Sequence, residues 1–408
     1  MSSVQVVIDS IAAGGDGVGR TGGMVVFVPR STPGDLVTAK LVGKKRFARG
    51  TILHIDTSSV DRIDPRCPHY MIDRCGGCQL QHVAYPAQLK AKATIIRDGV
   101  TRIGKRAIDE PSVEPSPSRW GYRSKLTLAL RHLPGGWVMG LHPYDDPAGV
   151  FQLADCPITD DRVVAIWRAI FSNATLLPPD ASRGSVRISD DGAATVMIEG
   201  GQDWADGNRF FDAVPAIGSL WWKPANRARE MIANRGETVA LASFAQVNRS
   251  MAAALHEYVR ERVRRHSPRT VIDGYAGTGA TAIPLAADGI SVTAIELDEH
   301  AAESLAAHLP PGSCSWVGRV EELLPSALPA DVILLNPPRT GLADAVPAQL
   351  ESARSTVRAV IYVSCNPATL GRDLSRMPGY RIESLRGFDM FPQTAHVETV
   401  CELVPEAA

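Results

Sequence analysis

Val271-Ile272-Asp273-Gly274-Tyr275-Ala276-Gly277-Thr278-Gly279 reads as a strand that runs into a glycine-rich turn and then a helix. Gly277 and Gly279 let the backbone approach a ligand closely. About twenty residues on, Ile295-Glu296-Leu297 ends the next predicted strand with a carboxylate. Such an acid accepts hydrogen bonds from both hydroxyls of a ribose, so the pair points to a nucleoside cofactor. Gly-x-Gly alone leaves NAD, S-adenosylmethionine and a purely structural turn open. Ala282 stands where Gly-x-Gly-x-x-Gly has its third glycine, and the looser pattern accepts it.

Around this stretch the chain alternates between two periods. Apolar runs predict strands at 270–275, 291–297, 314–317, 331–335, 359–364, 380–386 and 396–403, with helical stretches between most of them. Ala252 to His266 is amphipathic, with Leu255, Val259 and Val263 at four-residue spacing. Strand–helix alternation implies a mainly parallel, doubly wound sheet over 241–408, with ligands at the carboxyl ends of its strands. Residues 1–58 read differently. Short β-rich runs (Val4–Ile8, Met24–Val28, Leu36–Leu41, Thr51–Ile55) are separated by Gly-rich turns, as in a five-stranded OB-like barrel. The region 59–240 mixes short strands and turns such as Ser189-Asp190-Asp191-Gly192, and is expected to be α+β. Within it, 111–118 reads as a Pro/Ser linker, followed by a strand from Tyr122 to Arg131. The whole is a multidomain α/β chain.

The 408 residues are 45% apolar and 21% charged, which excludes disorder of the whole chain. No apolar run is long enough to span a membrane, and the N-terminus shows no secretory pattern, so a cytoplasmic location is expected. Net charge is −1, which argues against a uniformly basic coat but leaves room for a local basic groove. Residues 1–58 carry seven Lys/Arg against four Asp, and Lys44-Lys45-Arg46-Phe47-Ala48-Arg49 sets an aromatic in a basic run. No obligate protein partner is evident.

Tyr362-Val363-Ser364-Cys365-Asn366-Pro367-Ala368-Thr369-Leu370 puts a cysteine at the carboxyl end of the fifth predicted strand of this sheet, beside the expected cofactor cleft. A buried core cysteine and a nucleophile are both open readings of that residue by itself. Three further cysteines crowd together as Cys67, Cys75 and Cys78. In a cytosolic chain such a group points to metal or redox chemistry before disulfides. With Cys156 as a fourth thiolate, the set suits either a 4Fe-4S cluster or tetrahedral zinc. Cys314 and Cys401 are expected in the core.

Ser364-Cys365-Asn366-Pro367-Ala368-Thr369-Leu370 resembles the nucleophile motif of the RNA uracil-C5 methyltransferases. The resemblance extends over nearly the whole chain. Ser243-Phe244-Ala245-Gln246-Val247-Asn248 resembles the family's Phe-x-Gln-x-Asn segment, and Asn336-Pro337-Pro338-Arg339-Thr340-Gly341-Leu342 its Asp-Pro-Pro-Arg-x-Gly loop. His396-Val397-Glu398-Thr399-Val400 resembles its C-terminal strand, and Tyr122-Arg123-Ser124-Lys125 the strand that faces RNA. Cys67, Cys75-Gly76-Gly77-Cys78 and Asp155-Cys156-Pro157 resemble the branch that carries a 4Fe-4S cluster.

The resemblance implies three parts: an RNA-binding TRAM barrel at 1–58, a central cluster-bearing domain at 59–240, and a Rossmann-like class I methyltransferase domain at 241–408. It implies methyl transfer from S-adenosylmethionine to C5 of a uridine, with Cys365 as nucleophile and Glu398 as base. Gln246, Tyr275, Glu296 and Asn336 fall at its cofactor positions. Cys67, Cys75, Cys78 and Cys156 fall at its cluster positions, with zinc the lesser expectation. TRAM plus cluster points to 23S rRNA, with tRNA as the second target. His396 is expected to be structural, and Arg339 to reach phosphate or the uracil oxygens.

Some positions depart from the pattern. Asn336 replaces the family's Asp, Ala280 a polar residue, and Arg319 an acid; Cys67 to Cys75 is two residues longer than the commonest spacing, so Met71–Arg74 must bulge. The first three motivate a second class of reading, an RNA-binding protein that keeps the fold without the activity.

Overall fold

The computed structural model describes residues 3–44, 46–189, 191–236 and 246–406. Lys45, Asp190 and Ser243–Ala245, which belong to segments read above, lie outside the described residues. Among the described residues no helix is long and apolar enough to cross a membrane.

Ser3–Ile11, Gly17–Thr21, Met24–Val28, Phe47–Thr57 and Leu36–Lys44 close, in that order, into a barrel. Alternate residues point inward, so Val6, Ile8, Val26, Val28, Val37 and Ala39 fill it. Gly17–Thr21 was not among the four apolar runs, because Gly-Val-Gly-Arg-Thr carries one apolar β-former. Its glycines serve close approach: a Cβ on Gly19 would lie 2.2 Å from the Val7 carbonyl oxygen.

The middle of the chain forms a seven-stranded sheet, ordered Glu230–Asn234, Ser219–Lys223, Ala194–Gly200, Ala181–Ile188, Lys125–Leu133, Gly136–Leu141, Phe151–Gln152. The helices Asp161–Ser172 and Gly207–Ala213 bury Ile166, Trp167, Phe210 and Phe211 against Val186, Val196 and Leu220. The strand expected from Tyr122 starts at Lys125. Arg123 instead makes isolated bridges to Thr159 and Asn248, stitching this sheet to the following domain.

The last sheet has eight strands, ordered Cys314–Val317, Ser291–Glu296, Thr270–Gly274, Val332–Leu335, Ala359–Ser364, Glu398–Pro405, Tyr380–Phe388, Val113–Glu114. The first five are parallel and Glu398–Pro405 runs antiparallel to both neighbours. Both faces are covered, so neighbouring residues of one strand serve opposite cores: Ile333 and Leu335 meet one helix layer, Val332 and Leu334 the other. The chain order reverses at Thr270–Gly274, where a doubly wound sheet opens its ligand crevice.

The Pro/Ser stretch is not a free linker. Val113–Glu114 adds an edge strand beside Gly387 and Phe388, and Ser116 is buried. The helix Tyr85–Asp98 ahead of it places Ile96 in the core of this last sheet. Its continuation, Gly99–Ile103, meets the helix Pro367–Leu374 so tightly that a Cβ on Gly371 would lie 2.2 Å from the Gly99 carbonyl oxygen. Cys401 is buried as expected, but Cys314 is exposed. It begins the strand at the sheet's edge, where only one side has a neighbour.

Candidate active site and cysteine cavity

Cys365 follows the strand Ala359–Ser364, and Asn366 ends that strand by capping the next helix, its side chain accepting from the Ala368 amide at 3.1 Å. The antiparallel register pairs Ser364 with Thr399. One step beyond that register stand Cys365 and Glu398, the first residue of its own strand, close enough for the Glu398 charge to act on the thiol. Two adjacent strands of one sheet thus bring a thiol and a carboxyl to one strand end.

Arg339 lies beside both. Burial pushes the Cys365 thiol up, the Glu398 charge adds to that, and the Arg339 guanidinium opposes it. Glu398 is buried and is pushed up to about 7 by desolvation, again opposed by Arg339. A carboxyl poised near neutrality is suited to taking a proton. His396 is exposed, with its ring edge-on to Phe391.

Arg339 is carried on a loop that is fastened from below. The fully buried Asp373 carboxylate accepts from the Leu342 amide at 2.9 Å and the Tyr362 hydroxyl at 2.7 Å. Arg372 pairs with the same carboxylate and donates to the Thr340 carbonyl at 2.8 Å. Nothing in the sequence marked Asp373, because its partners become neighbours only in the fold.

At the topological switch, Tyr275, Asn336, Ala280, Asp273, His256 and Val363 share a small cavity of about 40 Å³. Glu296 stands at the end of the adjacent strand and accepts from the Gly277 amide at 2.7 Å, closing the glycine turn onto the carboxylate. Tyr275 takes a left-handed φ of 64°, which turns the chain out of its strand. Tyr275 and Asn336 are therefore brought together with Glu296 close by, whereas Gln246 does not reach the lining of this cavity. Two of the three departures, Ala280 and Asn336, line this same cavity, while the exposed Arg319 stands just before a helix and pairs with Glu321 at 3.5 Å. Sequence reading passed over Asp273 and His256. The signal for Asp273 was available, an acid in an apolar strand just before the glycine turn. It is buried, receives a hydrogen bond from the Thr281 hydroxyl at 2.5 Å, and is raised by desolvation to about 7.

Cys67, Cys75, Cys78 and Cys156 line a second cavity of about 530 Å³, together with Arg123, Lys125 and Arg187. Cys67 caps the short helix Pro68–Met71, and Cys75 and Cys78 flank a Gly-Gly turn. The extra residues of the long spacing form the end of that helix and an exposed turn, with Arg74 at a φ of 51°. Thr159 donates to the Cys156 sulfur at 3.2 Å, and Gly77 to that of Cys75 at 3.4 Å. From the barrel, Arg30 donates to the Cys75 carbonyl at 2.7 Å and lies 3.2 Å over the Tyr70 ring.

The sequence pattern of the tRNA (uracil-5-)-methyltransferase family matches residues 317–404, a span that holds Arg339, Cys365 and Glu398. An RNA methyltransferase of Gloeobacter violaceus is 33% identical, the match covering 98% of this chain and 96% of the relative. The chain belongs to the RNA (uracil-5-)-methyltransferase family. A second relative, an RNA methyltransferase of Thermosynechococcus vestitus, is 30% identical over 98% of each chain. Among solved structures, the Pyrococcus abyssi tRNA (uracil-54, C5)-methyltransferase, in complex with S-adenosyl-L-homocysteine, shares the fold with a TM-score of 0.75. That likeness, at 24% identity, covers 98% of this chain and 99% of the other. The relatives that match over nearly their whole length are RNA methyltransferases, and the present chain is one of them.

Proposed function

We propose that the enzyme methylates C5 of a uridine in 23S rRNA through a covalent adduct between Cys365 and C6 of the base. The observation that carries this reading is the apposition of Cys365 and Glu398 across the strand end, with Arg339 beside both. C5 of uracil is a poor nucleophile. Addition of the Cys365 thiolate to C6 creates a C5 enolate, whose electron pair attacks the sulfonium methyl group and releases S-adenosylhomocysteine. Glu398 then takes the C5 proton, the C5–C6 double bond re-forms, and the thiolate leaves. Arg339 favours the thiolate and can steady the enolate oxygen. The uridine must leave its stack to reach both groups.

S-adenosylmethionine would occupy the crevice at the switch point, where it supplies the methyl group. Tyr275, Glu296 and Asn336 would line its site, with Glu296 on the ribose; Gln246 is assigned to the cofactor from its sequence motif alone. A 4Fe-4S cluster would be held by Cys67, Cys75, Cys78 and Cys156; what supports this reading is that the four thiols line one cavity. Tetrahedral zinc on the same four thiolates is the lesser reading. Bound there, the cluster would hold the segment together. The N-terminal barrel is read as a TRAM-type RNA-binding module and residues 241–408 as a Rossmann-like domain, in a cytoplasmic enzyme.

The family's name and the archaeal fold relative favour tRNA as the second target. Mapping 5-methyluridine by mass spectrometry in rRNA and tRNA from a deletion strain decides between them. Loss of the base from one rRNA position supports the proposal, and loss from tRNA alone transfers the assignment to tRNA.

A further inference from the structure

Glu398 sits where its strand begins, and its last register partner is Phe388. Between the two, residues 389–397 leave the sheet and return as a mostly buried loop. The chain enters Glu398 directly from this loop, so where the loop is held bears on where the strand begins.

That loop is held from a distant helix. On Tyr85–Asp98, Gln88 and Lys92 lie one turn apart on the same face. Gln88 and Gln393 form a reciprocal pair: the Gln393 amide donates to Gln88 Oε1 at 3.0 Å, and Gln88 Nε2 donates to Gln393 Oε1 at 3.0 Å. Gln393 has a left-handed φ of 70°, a conformation that glutamine keeps only when its surroundings enforce it. Its carbonyl accepts from the Leu80 amide at 2.9 Å, and Gln88 Nε2 also donates to the Leu80 and Val83 carbonyls. Lys92, fully buried, pairs with Asp389 and donates to the Phe391 carbonyl at 3.0 Å.

We propose that Gln88 and Lys92 are positioning residues for the base: they clamp the loop 389–397 and so set Glu398 against the methylated adduct. The proposal rests on the reading of Cys365 as nucleophile and Glu398 as base. Its consequence is selective. Addition of Cys365 and methyl transfer draw on groups outside the loop, so loosening it slows proton removal and release, not adduct formation.

The test uses the full-length enzyme and 23S rRNA and tRNA transcripts, with quenched samples resolved on denaturing gels. Gln88→Ala should slow decay of the methylated adduct about tenfold while adduct formation stays within about threefold of wild type. Gln393→Ala keeps the backbone amide bond to Gln88 Oε1 and loses only the side-chain half, so it should slow decay in the same selective way but less, and the double variant should be no worse than Gln88→Ala alone. If Gln88→Ala fails to fold, Gln88→Glu keeps the acceptor for the Gln393 amide, and the same ratio of decay to formation is read. Parallel slowing of both steps, in variants that fold, overturns the proposal and makes Gln88 a packing residue. Failure of wild type to form any adduct with 5-fluorouridine transcripts of either RNA overturns the underlying reading instead.

Discussion

The Asp373 carboxylate accepts a hydrogen bond from the Leu342 amide at 2.9 Å, and so ties the loop that carries Arg339 to the helix that follows Cys365. The same carboxylate receives the Tyr362 hydroxyl from the strand before the nucleophile. One buried acid therefore fixes three segments whose ends meet at the site.

Asp373→Ala should lower stability by about 2–6 kcal/mol, since the buried Leu342 amide and Tyr362 hydroxyl each lose a partner at about 1–3 kcal/mol. It should also slow adduct formation, because Arg339 would no longer be held beside Cys365. Urea unfolding and a single-turnover trapping assay check the two effects. Unchanged adduct formation would show that Arg339 is placed by something else.

The raised carboxyl of Glu398 links stability to pH. In the fold it keeps its proton up to about 7, whereas in the unfolded chain it loses it in the ordinary carboxylate range. Its contribution is therefore fully present below the ordinary range and is lost as pH rises through about 7. Glu398→Gln removes that loss. The variant should exceed wild type in stability at pH 8 by up to roughly 3 kcal/mol, with the gap closing toward pH 4. Catalysis runs the other way: proton removal needs the carboxylate, so release of product should speed up through the same window. A stability gap that does not change with pH would contradict this account of Glu398.

Lys92 and Asp389 are both fully buried, so removing one leaves a charge with no counterion. Lys92→Met should cost about 3–5 kcal/mol in urea unfolding, and adding Asp389→Asn should recover part of it. A loss below about 1 kcal/mol, typical of an exposed pair, would mean that the site admits water.

The parts of this molecule that were legible in its sequence are those dictated by local pattern. The runs at Met24–Val28, Cys314–Val317 and Ala359–Ser364 carry strand boundaries that match the structure residue for residue. The strand–turn–helix at 271–279 and the Asn-Pro stop after Cys365 mark the crevice because turn chemistry is local. What escaped depends on the fold. Val113–Glu114 looked like linker because proline and serine surround it, and only the edge beside Gly387 makes it a strand. Lys92 and Asp389 are 297 positions apart, and neither is distinguished from a surface charge until the sheet closes over them. Cys314 failed as a core residue because an apolar run does not tell an edge strand from a central one.

For the cysteine cavity, protein purified without oxygen should be brown, with broad visible absorption and about four iron atoms per chain. Cys75→Ser should lose most of that iron. Colourless anaerobic protein with stoichiometric zinc would overturn the cluster assignment.

The pairing of Cys365 with Glu398 is tested most directly by trapping the enzyme on RNA. RNA carrying 5-fluorouridine at the target should hold wild type in a covalent complex, since fluorine cannot leave C5 as a cation, and the complex should survive a denaturing gel. Cys365→Ala should give no complex while binding RNA nearly as well, because affinity comes mainly from phosphate contacts. Glu398→Gln should accumulate the methylated adduct even on ordinary uridine RNA. An active enzyme that forms no adduct with the correct fluorinated RNA would contradict the mechanism and point to direct transfer onto nitrogen or oxygen.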